Sequence, residues 1–464
     1  MFRTLLAALI VATPAAAQQL TPAETARVDT IVADALKSSG VPSASVAIVR
    51  DGRIVFARAY GDQGPGMKAT SADAKYQIAS VSKQFTAAAL LLLEDEGKLS
   101  LDDKVSKWVP DITGADRISV RQLLSHTAGI QDYWPQDYDF AAMEKPVTPQ
   151  QILDRWAKKP LDFEPGTAWQ YSNTGYVVAG MIIEKASGMK LLDYLQKNIL
   201  KPLGMQAMDQ DYAVGKGFPQ GTHRFALGPV RPARPAAHGW LWAAGELAMS
   251  ASDLAKWDIA RIDRKILSPE DWAAQETEVK LADGGATRYG LGVSLGTREG
   301  TPVVEHGGEA VGFLSENFVL PEKRFAVVAL VNADFGGAPG DITADITNLF
   351  YPVTPPQPAA NLDQQRDALA RNLFDQLRTG KLDRALLTED ANYYFTPQAT
   401  ADYHDSLAPL GDPVRFTPLG KPRLRGGFVN RNYEIVYDDK RLIAITYAEP
   451  GAQGKFEQFL VQPR

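Results

Sequence analysis

Strand-like segments flank a long helical and loop-rich stretch, and that distribution limits the folds open to the chain. Ser43–Arg50 and Arg53–Tyr60 flank Asp51-Gly52, a dipeptide that accepts the positive φ angles of a tight hairpin. Further strand-like runs return only late, at Gly290–Gly296, Pro302–His306, Gly312–Leu320 and Phe325–Asn332. Between them lie helices and loops, including an apolar helix expected from Ser80 to Glu96 and closed by Gly97. A capping box at Thr21-Pro22-Ala23-Glu24 opens an earlier helix that Gly40 stops, and Ile342–Phe350 reads as a later one. The arrangement predicts an α+β fold: one antiparallel sheet covered by helices, with a helical lobe inserted.

At 464 residues the chain exceeds one ordinary domain. The stretch "YPVTPPQPAANLD" carries four prolines and reads as a linker over residues 351–360. It separates a main domain, 18–350, from a small α+β domain, 361–464. In the latter, Leu369, Leu373 and Leu377 share one face of a helix expected at Leu362–Leu377, and alternation from Val414 to Val461 reads as an antiparallel sheet; by fold analogy alone the unit loosely resembles a cystatin- or NTF2-type domain. Residues 1–17 combine Arg3, the apolar run Leu5–Val11 and Ala15-Ala16-Ala17, a secretory signal cut after Ala17. The mature chain is expected to be secreted or periplasmic, with no transmembrane anchor. Without cysteine it has neither disulfides nor a thiol nucleophile, and a net charge of −6 with no long basic run gives no nucleic-acid surface.

The chemistry-bearing residues fall into three groups. Ser80 and Lys83 lie three apart, so a helix puts them on one face, and a lysine whose pKa is depressed by apolar burial can take a serine proton. Taken alone, the pair also fits an N-capping serine beside a snorkelling lysine. Tyr171 and Asn173, two apart in extended chain, can face one cleft. There a lysine ammonium would lower the tyrosine pKa for proton shuttling, while the amide binds a substrate carbonyl and the lysine; a core tyrosine and an Asn173 helix cap fit as well. His306-Gly307-Gly308 ends an expected strand, where glycines permit close approach of a ligand and a histidine cation suits a substrate carboxylate or developing oxyanion; an ordinary glycine turn with a surface histidine is the plainer alternative.

In that order, Ser-x-x-Lys, Tyr-x-Asn and His-x-Gly resemble the serine β-lactamase and penicillin-binding protein family. The likeness is to its class C, D-alanyl-D-alanine carboxypeptidase, D-aminopeptidase and esterase branch, and it extends to Ile118–Ile130 and Trp242–Trp257. It covers roughly Thr21 to Phe350. The resemblance implies a serine hydrolase that cleaves an amide or ester through an acyl-serine, acting on a small-molecule or peptide substrate, a cell-wall peptide among them. Ser80 is then the nucleophile, Lys83 its base and Tyr171 the proton donor to the leaving group. Asn173 positions substrate, His306 and Gly308 form the strand-edge motif, and the backbone N–H groups of Ser80 and Glu309 make the oxyanion hole. His306 stands where many β-lactamases carry lysine, and Glu309 adds an acid that disfavours anionic substrates; both point away from efficient β-lactam hydrolysis. Two other readings are a penicillin- or ligand-binding module that never releases its adduct, and a scaffold acting through the C-terminal domain.

Two further patterns carry less. Gly292–Gly296 matches the G-x-S-x-G of α/β-hydrolases, but turn and strand follow instead of a helix, so Ser294 reads as structural. His126, His223, His238, His306 and His404 show no metal-ligand spacing, and no cofactor is expected; His126 reads as a satisfied structural histidine. All motif residues precede the proline-rich segment, so the C-terminal domain is expected to be dispensable for chemistry.

Overall fold

The computed structural model describes residues 19–68, 70–353, 364–451 and 453–464; the expected signal segment and most of the expected linker lie outside the described residues. Six strands form one antiparallel sheet: β1 (Ser43–Arg50), β2 (Arg53–Gly61), β3 (Ser294–Arg298), β4 (Thr301–Ala310), β5 (Phe313–Leu320) and β6 (Phe325–Val331). Their spatial order is β2-β1-β6-β5-β4-β3, so the late strands join the early hairpin. The hairpin turn has φ of 54° at Asp51 and 72° at Gly52, the doubly positive geometry that matches strand twist.

Helices cover both faces. Along β1, Ala44, Val46 and Ile48 enter one apolar cluster with α1 (Pro22–Ser39) and α5 (Ala338–Phe350), whereas Ala47 and Val49 enter the other. That second cluster holds the helical lobe, with α2 (Lys83–Asp95), α3 (Asn173–Ser187) and α4 (Ala251–Ile262). Central strands buried on both faces lose polar alternation, which is why β6 is apolar throughout. No helix among the described residues is long and apolar enough to cross a membrane.

One strand boundary differs from expectation in a way that matters for the site. β4 does not stop at His306; it continues through Gly307 and Gly308 to Ala310, paired with β5 along that length. β3 pairs with it only as far as Glu305, which leaves residues 306–310 as a sheet edge. Gly308 sits inside the strand because a Cβ there would lie 2.2 Å from the Ile78 carbonyl oxygen and 2.3 Å from Ser315 Oγ. The glycine lets the sheet edge press against the turn that opens α2.

Residues 364–464 pack α6 (Gln364–Thr379) and α7 (Pro397–Leu407) on a four-stranded antiparallel meander: β7 (Arg415–Arg425), β8 (Phe428–Val436), β9 (Arg441–Ala448) and β10 (Phe456–Pro463). Leu373, Phe374, Leu377, Tyr403, Tyr433 and Phe459 form their shared apolar cluster. This unit is seated on the rest of the chain. Tyr138 stacks on Tyr394 at 4.6 Å and donates a hydrogen bond to the Glu457 carbonyl, Gln458 Nε2 donates to Asp137 at 2.9 Å, and Arg231 pairs with Asp402.

Candidate active site

Ser80 lies not in α2 but in the 3-10 turn Ala79–Ser82 that leads into it. The turn is entered through Ala79 at φ 46°, a left-handed conformation that disfavours a side chain by roughly 1–2 kcal/mol. The lobe and sheet fix it: Ile78 N–H donates to Leu247 O at 3.0 Å, Leu247 N–H to Ser82 Oγ at 3.0 Å, and Ser315 Oγ to Ile78 O at 2.8 Å. In 3-10 geometry positions i and i+3 eclipse, which brings Lys83 Nζ to 2.9 Å from Ser80 Oγ.

Lys83 is fully buried. Burial pushes its amine well below the usual lysine range; Arg425 adds to the effect and Asp132 opposes it. Nζ also contacts Asn173 Oδ1 at 2.8 Å and Ala244 O at 2.8 Å. Both oxygens are acceptors only. A neutral amine has two N–H groups and one lone pair, so these two acceptors consume the hydrogens and the lone pair is left facing the Ser80 hydroxyl. The arrangement can receive the serine proton.

Tyr171 and Asn173 face the same cavity as Ser80, which has a volume of about 470 Å³. Asn173 is not the helix cap: the Ser172 hydroxyl accepts from Gly175 N–H at 3.2 Å, and the Asn173 amide is thereby free to bind Lys83. The expected lowering of the Tyr171 pKa is also overturned. Burial raises it, outweighing the hydrogen bond with Ser80 and the charge of Arg425. Tyr171 therefore keeps its proton at neutrality, as a donor must.

His306 is buried and is not the cation the sequence suggested. Nδ1 lies 2.6 Å from Gly307 O, so that nitrogen carries the proton, and Nε2 accepts from the Tyr289 hydroxyl at 2.7 Å. Burial and the Lys83 charge press its pKa down to about 3, against the pull of the Gly307 carbonyl. A group with a depressed histidine pKa is neutral at every pH above that value. The ratio of kcat/KM for a carboxylate-bearing substrate to that for its neutral analogue is thus expected to show no histidine step between about pH 5.5 and 8.5. A bend near pH ~6.5, lost in His306→Gln, would mean that the imidazole is charged after all. Gly308 and Glu309 line the cavity beside His306. Burial and Asp137 push the Glu309 carboxyl well above the usual range, although Arg425 opposes them.

Several residues of the site escaped the sequence reading. Asp132 Oδ1 accepts from the Asn173 backbone N–H at 2.9 Å, and its Oδ2 takes Arg425 Nε at 3.2 Å. Arg425 and Tyr447, both from the C-terminal sheet, line the Ser80 cavity. The motif residues all precede the proline-rich segment, but the cavity they face is lined by residues beyond it as well. Ser294 and His126 stay outside the Ser80 cavity. Ser294 opens β3 opposite Glu305 and does not line it. His126 is buried at φ 60°, 4.1 Å from the Tyr171 ring; Nδ1 accepts from Ser172 N–H at 3.2 Å, but Nε2 has no hydrogen-bond partner, so it is only half satisfied. Among the described residues no group of three or more acidic or histidine side chains is placed to hold a metal ion.

A model of the beta-lactamase family matches residues 28–349. A penicillin-binding protein of Bacillus subtilis (strain 168) is 29% identical over 277 residues, 56% of this chain and 61% of its own length. A D-aminopeptidase of Brucella anthropi is 29% identical over 322 residues, 66% of this chain and 59% of its own. The chain thus spans about three fifths of the length of these curated relatives. In fold it is similar to the octameric penicillin-binding protein homologue from Pyrococcus abyssi, with a TM-score of 0.62 at 22% identity over 94% of this chain and 99% of that one.

Proposed function

Because this chain belongs to the beta-lactamase family of serine hydrolases, we propose that it is an exported enzyme that hydrolyses an amide or ester through an acyl-Ser80 intermediate. The observation that carries the reading is the Lys83 amine, whose two acceptor partners leave its lone pair on the Ser80 hydroxyl. Ser80 Oγ attacks the substrate carbonyl as its proton passes to Lys83 Nζ. The oxyanion is held by the backbone N–H groups of Ser80 and Glu309. Tyr171, kept protonated by burial, protonates the leaving group, and the Lys83 ammonium restores the phenol. Water then attacks the acyl carbonyl and gives a proton to Lys83; the tetrahedral adduct collapses, the bond to Ser80 Oγ breaks, Lys83 returns the proton to Oγ, and the carboxylic acid leaves.

The cavity wall supports an acyl group that bears an amine. Glu309, Asp137 and Glu316 line it together with two arginines; Arg425 already faces Asp132 and Asp137, Arg423 is exposed to solvent, and His306 is neutral. Burial raises both glutamates, Glu316 to about 8; an ammonium entering the cavity would lower them and pair with the carboxylates so formed, whereas a β-lactam carboxylate would hold them protonated. The D-aminopeptidase relative points the same way. The test compares D-alanine p-nitroanilide, its N-acetyl derivative and nitrocefin. The free amine is expected to give a kcat/KM about tenfold or more above the acetylated form, nitrocefin to be poor, and Ser80→Ala to be inactive on all three. Preference for the acetylated or anionic compound would contradict the amine reading.

A further inference from the structure

β7 and β8 are joined by Gly426-Gly427, at φ 58° and 83°, a two-residue turn that only glycine makes comfortably. The tip rests on the loop after Ile130: a Cβ on Gly426 would lie 2.3 Å from Pro135 Cβ. The last residue of β7, Arg425, is thereby driven into the Ser80 cavity. Its guanidinium is held at every nitrogen. Nε reaches Asp132 at 3.2 Å, Nη1 reaches Asp137 at 3.2 Å and Tyr447 at 3.3 Å, and Nη2 donates to Trp134 O at 3.1 Å. It also stacks over the Tyr171 ring at 5.1 Å, while Lys83 Nζ lies 4.9 Å from the same ring.

We propose that Arg425 is a positioning residue of the hydrolytic site, so that Ser80, Lys83 and Tyr171 work only with the C-terminal hairpin seated on them. Two effects follow from its contacts. It balances Asp132, a buried carboxylate that would otherwise favour the charged form of Lys83 and remove the lone pair that Ser80 needs. It also fixes the plane of Tyr171 from the side facing the C-terminal unit. The groups that bear on this balance come from several elements. Asp132 and Asp137 precede α3, Tyr447 lies on β9, and Glu309 and His306 lie on β4. His126 and Tyr176 complete the wall on the lobe side. Of these, only Arg425 brings a fixed positive charge, and it acts to lower the pKa of both Lys83 and Tyr171.

This inference rests on the acyl-serine reading, and the experiment separates the two. Full-length wild-type, Arg425→Ala and Arg425→Lys chains are compared by kcat/KM against pH on one activated ester. Activity that depends on neutral Lys83 rises with pH through the lysine pKa. Loss of Arg425 raises that pKa, so the acidic limb of Arg425→Ala is expected to move up by about one pH unit or more. Its kcat is expected to fall about a hundredfold, with partial recovery in added guanidinium but not in sodium chloride of equal concentration. Arg425→Lys keeps the charge and is expected to keep the limb in place while losing part of kcat through the looser grip. An unshifted limb without guanidinium rescue, or wild-type turnover in Arg425→Ala, would overturn the proposal. If Arg425→Ala does not fold, a limb displaced in Arg425→Lys would overturn it and an undisplaced one with reduced kcat would support it. A wild-type chain that cannot be acylated on Ser80 would instead remove the hydrolase reading beneath it.

Discussion

Replacing Lys83 with methionine is expected to lower kcat/KM by about 10²–10⁴-fold, with the fold retained. The retained fold follows from volume: methionine fills an apolar-walled slot of similar length without an internal charge. The lost donors to Asn173 Oδ1 and Ala244 O cost roughly 1–3 kcal/mol each at most, too little to unfold a lobe with so large an apolar cluster. The rate loss follows from the lone pair, since nothing else within reach of Ser80 is both neutral and basic. His306 has its proton-free nitrogen turned to Tyr289, His126 has its Nδ1 committed to Ser172, and Tyr171 is held protonated. The residual rate should also lack the rise with pH that a lysine base imposes on the wild type. A Lys83→Met chain with activity within a few-fold of wild type would mean that Tyr171 deprotonates Ser80 directly, which its raised pKa argues against.

Local spacing put Ser80 and Lys83 on one face but left open a capping serine beside a snorkelling lysine; the Tyr-x-Asn and His-x-Gly motifs that follow in order made the pair legible. Tyr171 and Asn173, two apart in extended chain, were legible in the same way. The sheet was legible from the Asp51-Gly52 turn and the late apolar runs. What spacing does not carry is how deeply a group is buried. His306 reads as a cation in sequence and is neutral in the fold, because desolvation and the Lys83 charge both lower its pKa; Tyr171 reads as acidified beside a lysine yet is not, because desolvation outweighs the Ser80 hydrogen bond and the Arg425 charge. Nor does spacing carry close approach. Gly308 looks like a turn glycine until the Ile78 carbonyl is seen against it. Arg425 and Asp132 are 293 residues apart, and each is unremarked in its own neighbourhood. The proline-rich stretch suggested a clean division of labour, but the hairpin beyond it reaches back into the site. A pairing of that range is visible only once both units are placed.

The central claim is that Ser80 is the acylated residue. Ser80→Ala is expected to reduce turnover by on the order of 10³–10⁶-fold, because among the described residues the hydroxyl hydrogen-bonded to the Lys83 amine is that of Ser80, its other partners being Asn173 Oδ1 and Ala244 O. The direct measurement is intact-mass spectrometry of the full chain after incubation with a fluorophosphonate, followed by peptide mapping. The account predicts one adduct per chain, located on the peptide that carries Ser80, and none in Ser80→Ala. An adduct on Ser294 with Ser80 untouched, or labelling that persists in Ser80→Ala, would contradict it.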